Sequence, residues 1–413
     1  MKKSVKDTVV RLIPEDLLIL RSKLINRRRV GTVLKERKRE KYDVNAYPEG
    51  VNIMGPVKAE MGLGQSCRLV CKAVQEAGFD YSVQNISLSD YARNGDLTYE
   101  DRIVKDSPYG INIIHLEPPE LMNNCINFDE NLWNGKYNIA FWLWELEEFP
   151  KSWIDAIKLV DEIWTPSEFT GECIRKITDK PVKTMPYCVT APIKEEYDRR
   201  YFELPEDKFL YLLMYDANST MERKNPKSAI EAFKKAFPQE NKEVGLVIKM
   251  NNPKEKDVEE LKALLSDYEN IYFIPKILSK EEVNSLIADV DVFVSLHRAE
   301  GFGLVMAEAM LNETPCIATN WSSNTEFMNK DVACMVDYDL VTLKRKMMPY
   351  EKGIRWADAH TDEAAGYMRR LYEDKEFYNR LADSAKRYIV DKLSPESVGV
   401  RVRSRILEIM NQR

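Results

Sequence analysis

The sequence predicts an α/β protein of two doubly wound parallel-sheet domains, and three observations lead there. From about residue 45 onward, short apolar runs alternate with segments of helical spacing. That alternation gives parallel strands joined by helical crossovers. The pattern is interrupted around 190–206 by a charged, aperiodic stretch ending at Pro205, so the strands fall into two series. At 413 residues the chain has room for two domains of ordinary size.

Taken in order, residues 1–45 form a basic extension, with Arg27-Arg28-Arg29 and the run Lys35 to Lys41 following an apolar patch at Leu17 to Leu20. The first domain, 46–195, opens on a strand at Val51–Met54 and a helix from about Gln65 to Ala77. Further apolar runs at Ile111–Ile114, Ile139–Trp142 and Glu162–Thr165 read as buried strands. Trp153, Ala156, Ile157 and Val160 recur at helical spacing between two of them. The second domain, 196–390, begins with a strand at Phe209–Met214. Asn225-Pro226 then opens a helix, with Asn as N-cap and Pro at the first helical position. Strands follow at Val244–Lys249 and Ile271–Ile274, and Ser279 with Glu282 makes a capping box ahead of Val283, Leu286 and Ile287. The end of the chain is helical, with 391–413 as a final helix.

Composition narrows the function. Hydrophobic content of 44% and 31% charged residues fit a soluble enzyme. No apolar run approaches the ~20 residues that span a bilayer, and no secretory signal is visible. The seven cysteines are scattered, without a Cys-x-x-Cys pair, which suggests neither a disulfide framework nor a zinc site and fits a cytoplasmic setting. Residues 1–43 carry a net +8 within a chain of net −6. The basic segment suits an anionic membrane face or a partner, and equally a solvated helical arm. Nucleic acid is disfavoured, because no aromatics interleave with these cations and the rest of the chain is acidic.

The most specific chemistry lies between Asp289 and Thr319. A buried strand, Val292 to Leu296, runs into the polar turn His297–Gly303, and then Leu304, Ala307, Met310 and Leu311 recur at helical spacing before a strand at Cys316–Thr319. A helix that starts after a glycine turn aims free N–H groups at the strand's carboxyl edge, which is an anion site. Glu300 lies in the turn, and Glu308 lies eight positions on, along the helix. Carboxylates beside a phosphate site make sense as acceptors for sugar or ribose hydroxyls.

Glu300-Gly-Phe-Gly-Leu-Val-Met-Ala-Glu308 resembles the E-x7-E motif of retaining glycosyltransferases, family 4 in particular. The resemblance implies the GT-B architecture of two Rossmann-like domains facing a cleft, a UDP- or GDP-sugar donor, and no metal or other cofactor. By resemblance, Glu308 binds ribose hydroxyls, Glu300 contacts the transferred sugar, and the backbone of Phe302, Gly303 and Leu304 meets the departing diphosphate. Gly50–Leu69, the Trp-Glu stretch at 142–147 and Trp164–Ser167 resemble bacterial surface-polysaccharide members. This suggests a glycan, lipid-linked or protein acceptor at the inner face of a membrane.

Other motifs are weighed beside this. Ser219 to Pro226 lies between a strand and a helix, and Arg223-Lys224 there would neutralise a diphosphate. Cations at a helix start are unfavourable without an anion. The family's Gly-Arg is absent, with Ala217-Asn218-Ser219 in its place, so Arg223 or Lys249 supplies the second cation beside Lys224. Gly62 and Gly64 follow the first strand, and in the family this loop lines the donor phosphates. His115 ends a strand, where it is either packed structurally or, as in the family, beside the reacting sugar. Trp142 and Trp144 share one side of a strand, and Trp144 and Glu145 would suit an acceptor sugar, by ring stacking and hydroxyl acceptance, although core packing explains the tryptophans equally. Asp289 and Asp291 read as structural. Two rival readings stay open: a nucleotide-sugar or glycan-binding pseudoenzyme, and a GT-B sugar-nucleotide epimerase.

Overall fold

A computed structural model describes residues 15–36, 41–88, 93–128, 130–347 and 349–411. The basic run at 37–40 lies outside them, as do the side chains of Leu17, Leu18 and Ile19. The first sheet contains β1 (Val51–Gly55), β2 (Tyr81–Asn85), β3 (Ile111–Ile114), β4 (Tyr137–Phe141), β5 (Glu162–Thr165) and β6 (Val182–Thr184). Its strands are parallel and run in the order β2-β1-β3-β4-β5-β6. The second contains β7 (Phe209–Asp216), β8 (Val244–Asn251), β9 (Ile271–Ile274), β10 (Val292–Ser295), β11 (Cys316–Thr319) and β12 (Cys334–Val336). It too is parallel, in the order β12-β11-β10-β7-β8-β9. The protein is therefore α/β with two Rossmann-like sheets.

Strand order dictates where a ligand belongs. It reverses between β1 and β3 in one sheet and between β7 and β10 in the other. In open α/β sheets, the crevice beyond the carboxyl ends at such a reversal is the binding place.

The central strands are buried on both faces, as covered parallel strands are. Their few polar side chains satisfy one another. Asn52, Asn112 and Asn138 stand side by side on β1, β3 and β4, linked by amide hydrogen bonds of 2.7 and 2.8 Å, and Ser82 on β2 donates to Asn52 at 3.0 Å. Such a ladder binds four strands in one register and leaves no buried amide wasted.

The helix Pro395–Met410 packs on the first domain, against the helix Gly62–Glu76. It is pinned by Arg405, which grips the fully buried carboxylate of Glu162 on β5 at 2.5 and 2.9 Å. Of the helix Glu15–Glu36, Val30 and Val33 are buried, while Leu20 and Leu24 stay exposed.

Three local expectations are corrected. β4 ends at Phe141, so Trp142 and Trp144 do not share a strand face. Trp142 N makes the last backbone bond to Trp164 O at 2.9 Å, and Leu143 N turns to the Glu117 carboxylate at 3.1 Å. The periodic run Lys151–Leu159 is a 3₁₀ helix, started by Pro150 through an i→i+3 bond from Trp153 N of 2.9 Å. Asn225 precedes its helix in a left-handed conformation (φ 52°), and its side chain is spent on Leu296 O and the Ser228 hydroxyl rather than on a helix N–H.

β2, β6 and β12 had no sequence expectation, and neither had a further pair of strands. Antiparallel β13 (Tyr338–Thr342) and β14 (Arg355–Ala359) form a hairpin after β12 whose connecting segment crosses toward the first domain.

Candidate functional site

Most of the sequence candidates lie on the segments that follow the strands at the two reversal points. Beyond β7, Asp216 turns the chain by accepting the N–H groups of Asn218 and Ser219 at 2.8 and 3.0 Å. The four-residue helix Met221–Lys224 follows, bracketed by Thr220 (φ 21°) and Asn225 (φ 52°). Positive φ at non-glycine residues is costly and persists only where surroundings enforce it. Here the backbone is locked by Arg298 N donating to Arg223 O at 2.7 Å. Arg298 is itself anchored to Asp358 of β14 at 2.6 Å.

Arg223 and Lys224 occupy the last turn of this short helix, where the dipole favours cations. The anion that the sequence argument required comes first from the protein itself. Lys224 Nζ ion-pairs with Glu300 Oε1, and Arg223 Nη1 approaches the same oxygen at 3.5 Å. Arg223 is 8% exposed; it donates to Ala299 O at 2.8 Å and Ser219 Oγ at 2.5 Å, and its Nε lies 3.5 Å from Glu145 of the first domain. Burial alone would raise the Glu300 carboxyl, but Lys224 and Arg223 overcome it and hold the group at about 2. The sign follows: this pairing is complete above the usual carboxyl range and is lost only as pH falls toward 2. Burial draws the Lys224 ammonium down, opposed by Glu300.

Beyond β10, Gly303 adopts φ 94° and caps the helix Leu304–Leu311. A side chain there would strain the backbone and bring its Cβ within 2.5 Å of Met306 Cε. Phe302 is buried between Tyr187 and Phe327, with ring centroids at 4.9 and 5.0 Å. This fixes the turn whose N–H groups, with that of Leu304, begin the helix. Glu308 is fully buried on the helix; Lys280 ion-pairs with its Oε1, while among the described residues its Oε2 has no hydrogen-bond partner. The two motif carboxylates are thus each held by a separate lysine. Burial pushes the Glu308 carboxyl up, partly offset by Lys280.

Lys249, at the end of β8, is 1% exposed and bonded to Asn251; burial brings its ammonium down to about 8. His297, the histidine of the turn, is buried among Ser295, Asn324 and Trp321 O and braces the loop.

In the first domain, Gly62 begins the helix after β1, and Gly64 passes so close to Ala59 that a Cβ would meet its carbonyl oxygen at 1.9 Å. His115 follows β3. It is 1% exposed, shares a hydrogen bond of 2.5 Å with Ser66, which in turn bonds Tyr187, and stacks on Phe141 at 5.2 Å. Burial lowers its imidazole to about 4, so it is neutral near pH 7. Tyr187 carries this chain on to Phe302 of the second domain. The Trp144 ring offers little free face: it is 2% exposed, packs on Trp153 and Tyr350, and donates to Glu148 O at 2.8 Å. Glu145 accepts from Tyr350 OH beside Arg223, so it joins the hairpin to the cation site.

Sequence reasoning missed three participants. Lys280 reads as an ordinary first-turn residue of a capped helix. Tyr350 belongs to the unanticipated hairpin. Glu117 lies two residues past His115 at the same edge; burial, then repulsion by Glu120, pushes its carboxyl well up. Asp291 binds Arg199 at 2.9 Å and Leu210 N at 2.7 Å, a structural role. Among the described residues, no three His, Cys, Asp or Glu side chains converge as metal ligands.

The arrangement places a buried cation pair, a helix start and, among the described residues, a buried carboxylate oxygen without a partner on the segments that follow β7 and β10. Residues 198–388 match the family model of glycosyl transferases group 1. The MMP alpha-(1->4)-mannosyltransferase of Mycolicibacterium hassiacum is 26% identical over 206 residues, which span 49% of this chain and 44% of that relative. The chain thus matches less than half of the relative's length. Among solved structures, a glycosyltransferase from Rickettsia africae superposes with a TM-score of 0.67 at 12% identity, covering 89% of this chain and 100% of the other. Anabaena HepE, solved with UDP and glucose, gives a TM-score of 0.65 at 11% identity, covering 87% and 100%. Residues 198–388 thus match the glycosyl transferases group 1 model, and the chain has the two-domain GT-B fold of these solved structures.

Proposed function

We propose that this protein is a retaining, metal-independent hexosyltransferase of glycosyltransferase family 4. It uses a UDP- or GDP-sugar and delivers the hexose to a glycan, lipid-linked or protein-linked acceptor in bacterial cell-surface polysaccharide or glycoconjugate synthesis. One observation carries the reading: Arg223, Lys224, Glu300 and the unpartnered Glu308 Oε2 all lie at the strand-order reversal of the second sheet. Support comes from the group 1 domain and from a structural neighbour that binds UDP and glucose.

In this reading Glu308 takes a ribose hydroxyl and Glu300 the transferred sugar. Ser219 and Lys249 line the diphosphate with Arg223 and Lys224. The N–H groups of Phe302, Gly303 and Leu304 stabilise the charge that develops on the leaving diphosphate. Gly62, Gly64 and His115 close the site from the first domain; the two domains touch through contacts such as Ser167 to Ser323 at 2.8 Å. The helix Glu15–Glu36, with Leu20 and Leu24 exposed near Arg21, Arg27 and Arg28, is the surface for an anionic inner membrane face in the cytoplasm. Among the described residues no helix is long and apolar enough to cross a membrane.

The test is a thermal-shift panel of UDP-, GDP- and ADP-sugars, followed by assay of nucleoside diphosphate release with the best binder. Glu308→Ala should weaken donor binding by about 10- to 100-fold, as expected for loss of a charge-assisted hydrogen bond. Unchanged affinity in the folded variant defeats the assignment. The internal pairing of both cations favours one rival, a binding protein without turnover. Tight donor binding with no diphosphate release under any acceptor would select it.

A further inference from the structure

Lys280 is in an electrostatically poor place by local rules. It is the first residue of the helix Lys280–Asp289, capped by Ser279 and Glu282, where the helix dipole disfavours a cation. Its side chain nevertheless leaves solvent far enough to be 30% exposed and reaches the neighbouring helix to pair with Glu308, whose side chain is 1% exposed. The two helices are held in register independently of this pair. Asn312 Nδ2 donates to Asn284 O at 3.3 Å, and Thr314 Oγ1 donates to Ile287 O at 2.8 Å. The pair is therefore not needed to dock the helices, and it engages only one of the two carboxylate oxygens. The other, Oε2, is buried without a partner, a state that buried acceptors rarely keep.

We propose that Lys280 is a positioning residue for the nucleotide: by taking Glu308 Oε1 it fixes the carboxylate and presents Oε2 as the acceptor for a ribose hydroxyl. This rests on the donor site proposed above. Lys280 is also the cation that offsets burial at this carboxylate. The other charged groups around the site are committed elsewhere. Glu282 accepts from Ser279 N and Tyr201 OH, Lys249 is bonded to Asn251, and Glu300 to Lys224. Without Lys280, the buried carboxyl moves further up, so its protonated form gains at lower pH and its ionised, hydroxyl-accepting form returns as pH rises.

The experiment measures UDP and GDP affinity by titration calorimetry, from pH 6 to pH 9, for wild type, Lys280→Met, Lys280→Arg and Glu308→Gln. For whichever nucleotide wild type binds, Lys280→Met should bind about tenfold more weakly at pH 7. The ratio of variant to wild-type affinity should recover toward unity as pH rises, and Lys280→Arg should restore most of the loss. A second comparison serves if Lys280→Met is poorly folded on its own. In the Glu308→Gln background, removing Lys280 should cost less than about twofold, because its only route to the nucleotide is gone. A pH-independent loss, equal losses in both backgrounds, or no loss at all overturns the inference. If wild type binds neither nucleotide, the donor-site reading fails, and this proposal falls with it.

Discussion

Replacing Lys224 by alanine should lower kcat/KM for the cognate nucleotide sugar by about 10²–10³, the scale seen when one preorganised donor to a developing negative charge is removed. The residue is chosen over Arg223 on structural grounds. Arg223 binds Ala299 O and Ser219 Oγ, so truncating it loosens two loops at once. Lys224 makes its ion pair with Glu300 alone. Its loss leaves Glu300 facing Arg223 Nη1 at 3.5 Å, so the carboxylate keeps a cation and the fold keeps its turn. Melting temperature should therefore change little, while the departing diphosphate loses a cation in a place where water is scarce and charges count most. The pH profile supplies a second readout. In wild type Glu300 stays ionised down to about pH 2. Without Lys224 its carboxyl moves up toward the ordinary range, so an acid limb due to Glu300 must appear at higher pH than in wild type. Lys224→Arg keeps the charge and should retain part of the activity. Turnover within threefold of wild type, in a folded alanine variant, would remove Lys224 from the donor site.

How far the sequence reaches depends on whether a signal is local. Nine of the twelve strands in the two sheets are legible because each is a short apolar run set off by turns, whereas β2, β6 and β12, at sheet edges, are short or mixed in character and carry no such signal. The candidate site is legible because its residues cluster just after strands, and strand order then places those loops together. The rest depends on contacts between distant residues of ordinary type. Nothing near Lys280 announces Glu308, since Ser279 to Glu282 reads simply as a capping box. Nothing near Tyr350 announces Glu145, 205 residues earlier. The alternation Trp142, Trp144 imitates a strand, but the backbone leaves the sheet once a side chain, Glu117, takes the N–H of Leu143 in place of a neighbouring strand. Arg223 and Lys224 precede the helix at Pro226 but also close the helix Met221–Lys224, where cations are favoured. That Glu300 is the anion beside them could not be read locally, because an ion pair across 76 residues leaves no local trace.

The stability counterpart is Arg405→Ala, expected to destabilise the first domain by about 3–5 kcal/mol, the cost of stranding a buried charge. Glu162 is fully buried on β5, and its carboxylate receives four donors: two from Arg405, one from Tyr137 OH at 2.9 Å and one from Trp164 Nε1 at 2.8 Å. Hydrogen bonding to Glu162 raises the guanidinium's affinity for its proton, so Arg405 stays charged through the working pH range. The alanine variant keeps the carboxylate in place with two neutral donors and no cation. The helix Pro395–Met410 also loses its deepest polar anchor, although Val398, Val402, Ile406 and Ile409 still pack. A fall in melting temperature on the order of 10 °C is expected, given the few degrees that each kcal/mol moves a domain of this size. Arg403→Ala is the matched control. Arg403 lies on the same helix, donates to Ala77 O at 2.8 Å and stacks over Phe79, but it is exposed, so its loss should cost at most about 1 kcal/mol. The double change Glu162→Gln with Arg405→Met removes both charges and should recover part of the loss, because the penalty lies in the uncompensated carboxylate rather than in the missing contact. If Arg405→Ala and Arg403→Ala melt together, the buried pair does not hold the terminal helix to the first domain.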